Sequence, residues 1–207
     1  MTHASVIIIS TAPVPATRRT SQAGARRGGG APKRAAMVAP DDPKIKAADV
    51  TYPGSGGEMK GYLVLPAEAA GKLGAVIVIH ENRGLNEHTK DVARRMALEG
   101  FAALAVDYLS PKGGTPADEE AARKLIGELD PAQTIANSVA TVAVLKAHEA
   151  ANGKVGAMGF CWGGGQVNSL AVNSADLNAG VAYYGRQAAA ADVPKIKSPL
   201  LIHYAEL

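Results

Sequence analysis

The chain has 207 residues, of which 47% are hydrophobic and 20% charged, enough for one domain with a sizeable core. Its single cysteine, Cys161, excludes an internal disulfide framework and any cysteine-based zinc site. The net charge of +3 sits at one end: residues 1–40 hold Arg18, Arg19, Arg26, Arg27, Lys33 and Arg34 and no acid, so the remainder is mildly acidic and carries no basic stripe suited to nucleic acid.

Residues 1–44 combine Gly28-Gly29-Gly30 with five prolines and little periodicity, and read as a basic leader with little structure of its own. Val6-Ile7-Ile8-Ile9 is too short for a secretory core, which needs about 7–15 apolar residues. Arg18-Arg19 is followed by Thr20-Ser21-Gln22 and not by an apolar run, which argues against twin-arginine export. An organellar leader or a reading frame begun too early stay open as alternatives. No stretch reaches the ~18–20 apolar residues that span a bilayer. A cytoplasmic monomer without membrane contact is the expectation.

The domain is expected over 45–207. Val50 and Tyr52, then Gly54-Ser55-Gly56-Gly57, then Tyr62–Leu65 predict a hairpin closed by Pro66. Ala75–His80 is an unbroken, largely β-branched run, as in strands buried on both faces. A helix over 88–99 ends at Gly100, and a strand over Phe101–Val106 stops at Asp107. A charged helix around 117–128 and a longer one starting at Pro131 follow. Then come a strand over Val155–Met158, a helix over 163–173, a strand over 179–184 and a last strand over Leu200–Tyr204. Strands alternating with helices predict an α/β fold with a doubly wound, mostly parallel sheet.

The chemistry concentrates in Gly159-Phe160-Cys161-Trp162-Gly163, where a strand runs into G-x-C-x-G and then into a helix. This is the nucleophile-elbow pattern with sulfur in place of the hydroxyl oxygen. A nucleophile on so tight a turn needs flanks without side chains, and Gly159 and Gly163 supply them. The turn aims Cys161 at the first N–H groups of a helix, whose partial positive charge favours a thiolate. The Trp162 N–H would form half of an oxyanion hole.

Other readings compete. A lone cysteine at a strand end is by default a small buried hydrophobe, but packing alone does not require glycines at this spacing. Gly159-x-x-x-Gly163-x-Gly165 also fits a nicotinamide-dependent dehydrogenase of Rossmann type, with Tyr108-x-x-x-Lys112 as its pair. Pro111 breaks the helix that such a pair needs, and the strand ending Tyr183-Tyr184-Gly185 offers no acid for a ribose. His80, Glu81 and His88 lack H-E-x-x-H spacing, so neither a metal nor another cofactor is expected.

Gly159–Gly164 resembles the nucleophile motif of the dienelactone hydrolase (carboxymethylenebutenolidase) family. His80-Glu81-Asn82-Arg83-Gly84-Leu85 resembles that family's oxyanion loop, and Ala105–Leu109 and Val181–Gly185 match in order and spacing. The resemblance covers roughly residues 45–207 and implies an α/β-hydrolase fold acting on small esters or lactones through an acyl-thioester. It implies that Glu81 contacts the resting thiol and helps activate it, while Asn82 gives the second oxyanion N–H; the bland alternative for Glu81 is a solvated loop acid. Tyr184 and Arg83 are candidate substrate contacts. Dienelactone-specific members carry an arginine in the loop after the Asp107 strand; here that loop reads Ser110-Pro111-Lys112, which puts dienelactone itself in doubt.

In this fold the order is nucleophile, acid, histidine. Aligned on Leu200–Leu207, the family's aspartate and histidine would fall after Leu207, and His203 lies inside a strand. The expectation is a C-terminally truncated domain of doubtful activity, without its last strands and closing helix and with an apolar sheet edge exposed. A non-catalytic or redox-thiol protein on the same fold is the alternative.

Overall fold

The apolar runs of the sequence become the strands of one sheet. In this computed structural model, residues 6–11 are described by their backbone and residues 37–205 in full. The strands are β1 (Val6–Thr11), β2 (Ile45–Pro53), β3 (Glu58–Pro66), β4 (Leu73–Ile79), β5 (Ala102–Asp107), β6 (Ala151–Phe160), β7 (Ala179–Tyr183) and β8 (Leu200–Ala205). The helices are α1 (Glu87–Leu98), α2 (Glu119–Gly127), α3 (Pro131–Ala147) and α4 (Trp162–Asn173). Strand order is β1-β8-β7-β6-β4-β5-β3-β2, with β3 antiparallel to β2 and β5 and every other neighbouring pair parallel. The expected α/β, mostly parallel sheet is what forms.

Alternation decides how the sheet is covered. In β4, Ala75, Ile77 and Ile79 face one layer and Val76 and Val78 the other, all buried. The first set packs with Val142 and Leu145 of α3 and Val167 and Leu170 of α4. The second set packs with Val92, Ala93 and Ala97 of α1. Helix starts are capped by side chains: Asn86, Asp118 and Asp130 accept from Thr89, Ala121 and Gln133 N–H groups. Beside α1, the same face of the sheet keeps an apolar hollow of about 460 Å³ over β4, β6, β7 and β8, lined by Met96 of α1, Met158, Val181 and Leu201.

Two expectations about the chain's beginning differ from the structure. Val6–Thr11 pairs in parallel with Leu200–Ala205, so the β8 edge expected to stand open is occupied by β1. Residues 37–44 are also placed: Val38 is buried, donates its N–H to Asp91 at 2.8 Å and accepts from Arg94 Nε at 2.8 Å. A buried arginine needs partners, and a passing backbone carbonyl supplies one without any local sequence signal. The glycine run and the Arg18-Arg19 pair lie outside the described residues. No helix among the described residues is long and apolar enough to cross a membrane.

The strand order reverses at β4. From there the chain adds β5 on one side and β6 on the other, with α1 and α4 on opposite faces. The loops leaving β4 and β6 therefore diverge and leave a crevice at the strands' C-terminal ends. Ile79 and Gly159 are register partners, which sets the 80–86 loop beside Cys161.

Candidate active site

Cys161 stands between β6 and α4 with φ 55° and ψ −116°, a backbone conformation that L residues rarely adopt. Its neighbours hold it there: its N–H donates to Tyr183 O at 3.0 Å, and its carbonyl accepts from Gly165 N–H at 3.1 Å. The flanking glycines are steric requirements. A Cβ on Gly163 would lie 2.5 Å from the carbonyl oxygens of both Ile79 and His80, and one on Gly159 would strike the Gly163 carbonyl. Close passage of backbone against backbone, not local flexibility, calls for glycine at both positions.

The exit of β7 brings up the next partner. Gly185 crosses so closely over Gly164 and Gly165 that a side chain there would meet their backbone. This passage, with Tyr184 held at φ 39°, turns the Tyr184 ring toward the β4 loop. Its hydroxyl donates to Glu81 Oε1 at 3.2 Å. Partial burial first, then the charge and hydrogen bond of Glu81, then the Cys161 sulfur, push the Tyr184 hydroxyl up to about 12. Cys161, Glu81 and Tyr184 thus converge on one spot.

Trp162 opens α4, and its N–H is among the first-turn donors that no intrahelical carbonyl can satisfy. Asn82 is exposed in the turn after Glu81. The Arg83 guanidinium pairs with Glu119 at 3.1 Å, both side chains being about half exposed. His88 packs against Phe160, with ring centroids 5.8 Å apart. His203 stacks on Tyr183 at 4.6 Å, and Tyr183 stacks on Phe160 at 4.9 Å.

Two groups have a larger part than the sequence suggested. His80 is fully buried, with Nδ1 2.6 Å from Glu81 O, Nε2 accepting from Tyr108 N–H at 3.2 Å, and its ring stacked on Trp162. Asp107 accepts from Thr115 N–H and Oγ1 and from Leu109 N–H, and Thr115 Oγ1 accepts in turn from Leu85 N–H at 2.9 Å. The 80–86 loop is therefore pinned at both ends. The signal for His80 was its place as the one polar residue closing an apolar strand; the signal for Thr115 was none.

Known proteins resemble the chain in sequence and in fold. Residues 59–207 match the Dienelactone hydrolase family. A provisionally named carboxymethylenebutenolidase of Methylorubrum extorquens is 32% identical over 153 residues, which are 72% of this chain and 52% of that protein. A hydrolase fragment of Escherichia coli, YghX, also provisionally named, is 51% identical over 92 residues, 44% of this chain and 79% of that one. The crystal structure of P91, a dienelactone hydrolase-like promiscuous phosphotriesterase from metagenomic libraries, superposes with a TM-score of 0.68 at 32% identity. It covers 77% of this chain and 68% of the other. The chain spans about half the length of the carboxymethylenebutenolidase relatives it matches. The match over most of the domain, in a fold with this elbow, places the chain in the dienelactone hydrolase family of hydrolases.

Proposed function

We propose that the protein hydrolyses small esters or lactones with Cys161 as nucleophile. The observation that carries this is the Cys161 backbone itself. A non-glycine residue at φ 55° and ψ −116° costs roughly 1–3 kcal/mol, and burying a small thiol does not require it. As the sulfur adds to the substrate carbonyl, Glu81 takes the thiol proton. The carbonyl oxygen becomes an oxyanion held by the Trp162 and Asn82 N–H groups. Collapse breaks the C–O bond, the alkoxide leaves with the proton from Glu81, and an acyl-thioester remains. Water then adds to the thioester, releasing the acid and restoring the thiol. Tyr184, at the same spot, orients Glu81 and lines the substrate's approach.

Among the described residues no imidazole is hydrogen-bonded to the Cys161 thiol, so acylation is expected to outrun deacylation. p-Nitrophenyl acetate tests this: the 207-residue chain should release a burst of about one p-nitrophenolate per Cys161, followed by slow turnover. Cys161→Ala should abolish the burst. No burst, or an equal burst from Cys161→Ala, overturns the reading. The second reading is a redox-reactive thiol, which peroxide-sensitive Cys161 without ester cleavage would support.

A further inference from the structure

His80 lies at the C-terminal end of β4, buried between β5 and α4, and its ring makes one contact to each neighbouring piece of the site. Nδ1 is 2.6 Å from the Glu81 carbonyl oxygen, Nε2 is 3.2 Å from the Tyr108 nitrogen, and the ring face stacks on Trp162 with centroids 5.3 Å apart and planes 10° from parallel. The edge of Tyr108 closes the fourth side, 5.6 Å away at 81°. A backbone N–H can only donate, so Nε2 must be an acceptor. A backbone carbonyl can only accept, so Nδ1 must carry the hydrogen. Together the two bonds leave one protonation state and one tautomer.

We propose that His80 is a positioning residue, a neutral imidazole locked as the Nδ1–H tautomer, that sets the Glu81–Asn82 peptide against the Cys161 turn. The Glu81 carbonyl it holds belongs to the peptide whose N–H is on Asn82, so fixing that oxygen fixes the direction of the proposed oxyanion donor. The stack on Trp162 ties the same ring to the residue bearing the other donor. One buried side chain thereby fixes the relation between two N–H groups that come from loops 80 residues apart in the chain. The catalytic part of this rests on the proposed ester hydrolysis; the positioning itself does not.

The surroundings favour the neutral ring. Burial pushes the imidazole below its ordinary value, while the Glu81 carbonyl and the charge of Asp107 pull the other way. The groups facing it are Glu81 on its own loop, Asp107 at the end of β5, Tyr108 just after it, and Trp162 on α4.

Trp162 is the chain's single tryptophan, so its fluorescence reports on the ring stacked against it. The experiment follows Trp162 emission from pH 8 to pH 5 in the wild-type chain, together with backbone hydrogen exchange of the 80–86 peptide in wild type, His80→Asn and His80→Gln. An asparagine amide can replace the Nδ1–H bond to Glu81, and a glutamine amide the Nε2 bond to Tyr108. The expected result is emission without a step at the ordinary imidazole value of about 6.5, wild-type-like exchange over 80–86 in His80→Asn, and exchange at least five-fold faster in His80→Gln. A merely structural histidine would slow or speed exchange throughout the domain in both variants. A wild-type emission step centred near the ordinary value, or equal exchange over 80–86 in the two variants, overturns the proposal. If neither variant folds, the wild-type titration decides alone. None of these readouts depends on ester turnover, so loss of the hydrolase reading leaves them intact. Where turnover is measured, His80→Gln should lower kcat and leave KM within two-fold.

Discussion

Tyr184 donates its hydroxyl to Glu81 Oε1 at 3.2 Å across 103 residues of chain, and the two meet near Cys161, at the turn between β6 and α4. The pair is half open to solvent, Tyr184 being 53% exposed, so the bond is worth less than a buried one to a carboxylate. Tyr184→Phe should therefore reduce the acylation rate of Cys161 by about five-fold, equivalent to ~1 kcal/mol, with stability unchanged. Stopped-flow release of p-nitrophenolate measures it. An unchanged rate would mean that Glu81 needs no second support.

The strain at Cys161 predicts a stability gain when it is released. Glycine accepts φ 55° and ψ −116° without penalty, so Cys161→Gly should raise the unfolding free energy by about 1 kcal/mol after its entropy cost is subtracted. Cys161→Ala keeps the strain and should not. Urea denaturation of both variants beside the wild type checks the difference.

At Gly163 the opposite holds. A Cβ 2.5 Å from two carbonyl oxygens of the β4 exit must push α4 away from the sheet. Gly163→Ala should lower stability by about 1–3 kcal/mol, the range for overpacking. A denaturation midpoint equal to wild type would show that the helix start shifts freely.

The buried His80 makes stability depend on pH. In the unfolded chain the imidazole takes up a proton near its ordinary value, about 6.5, whereas burial lowers that value in the folded state. Both states are neutral at this ring above the ordinary value, so it contributes no slope there. Below it the unfolded state binds more protons, and stability should fall by up to about 1.4 kcal/mol per pH unit until the folded ring also protonates. His80→Asn should lack this component between pH 6.5 and pH 5. Parallel urea titrations compare the slopes.

Arg83 and Glu119 form a solvated pair, and such pairs contribute little. Arg83→Ala should change stability by less than about 0.5 kcal/mol. Should it also leave KM for an anionic ester within two-fold, Arg83 has no part in holding substrate; a larger rise in KM would return it to the site.

By itself the sequence determined the order and type of the elements from Ile45 onward, because hydrophobic period and turn residues act over a few positions: the Ala75–Ile79 run could only be a strand covered on both faces. It also determined the Cys161 turn, since Gly159-x-Cys161-x-Gly163 is a local steric demand. The tertiary structure alone decided what meets that turn. The partnership of Tyr184 with Glu81 depends on β7 crossing α4 at Gly185. The pairing of Arg83 with Glu119 depends on where α2 begins. The burial of Val38 against Asp91 and Arg94, and the pairing of β1 with β8, join segments far apart in the chain. His80 had no role in the sequence reading, and only the fold brings its two ring nitrogens to Glu81 and Tyr108. Contacts of this kind are set by sheet register and helix placement, which no short stretch of sequence encodes.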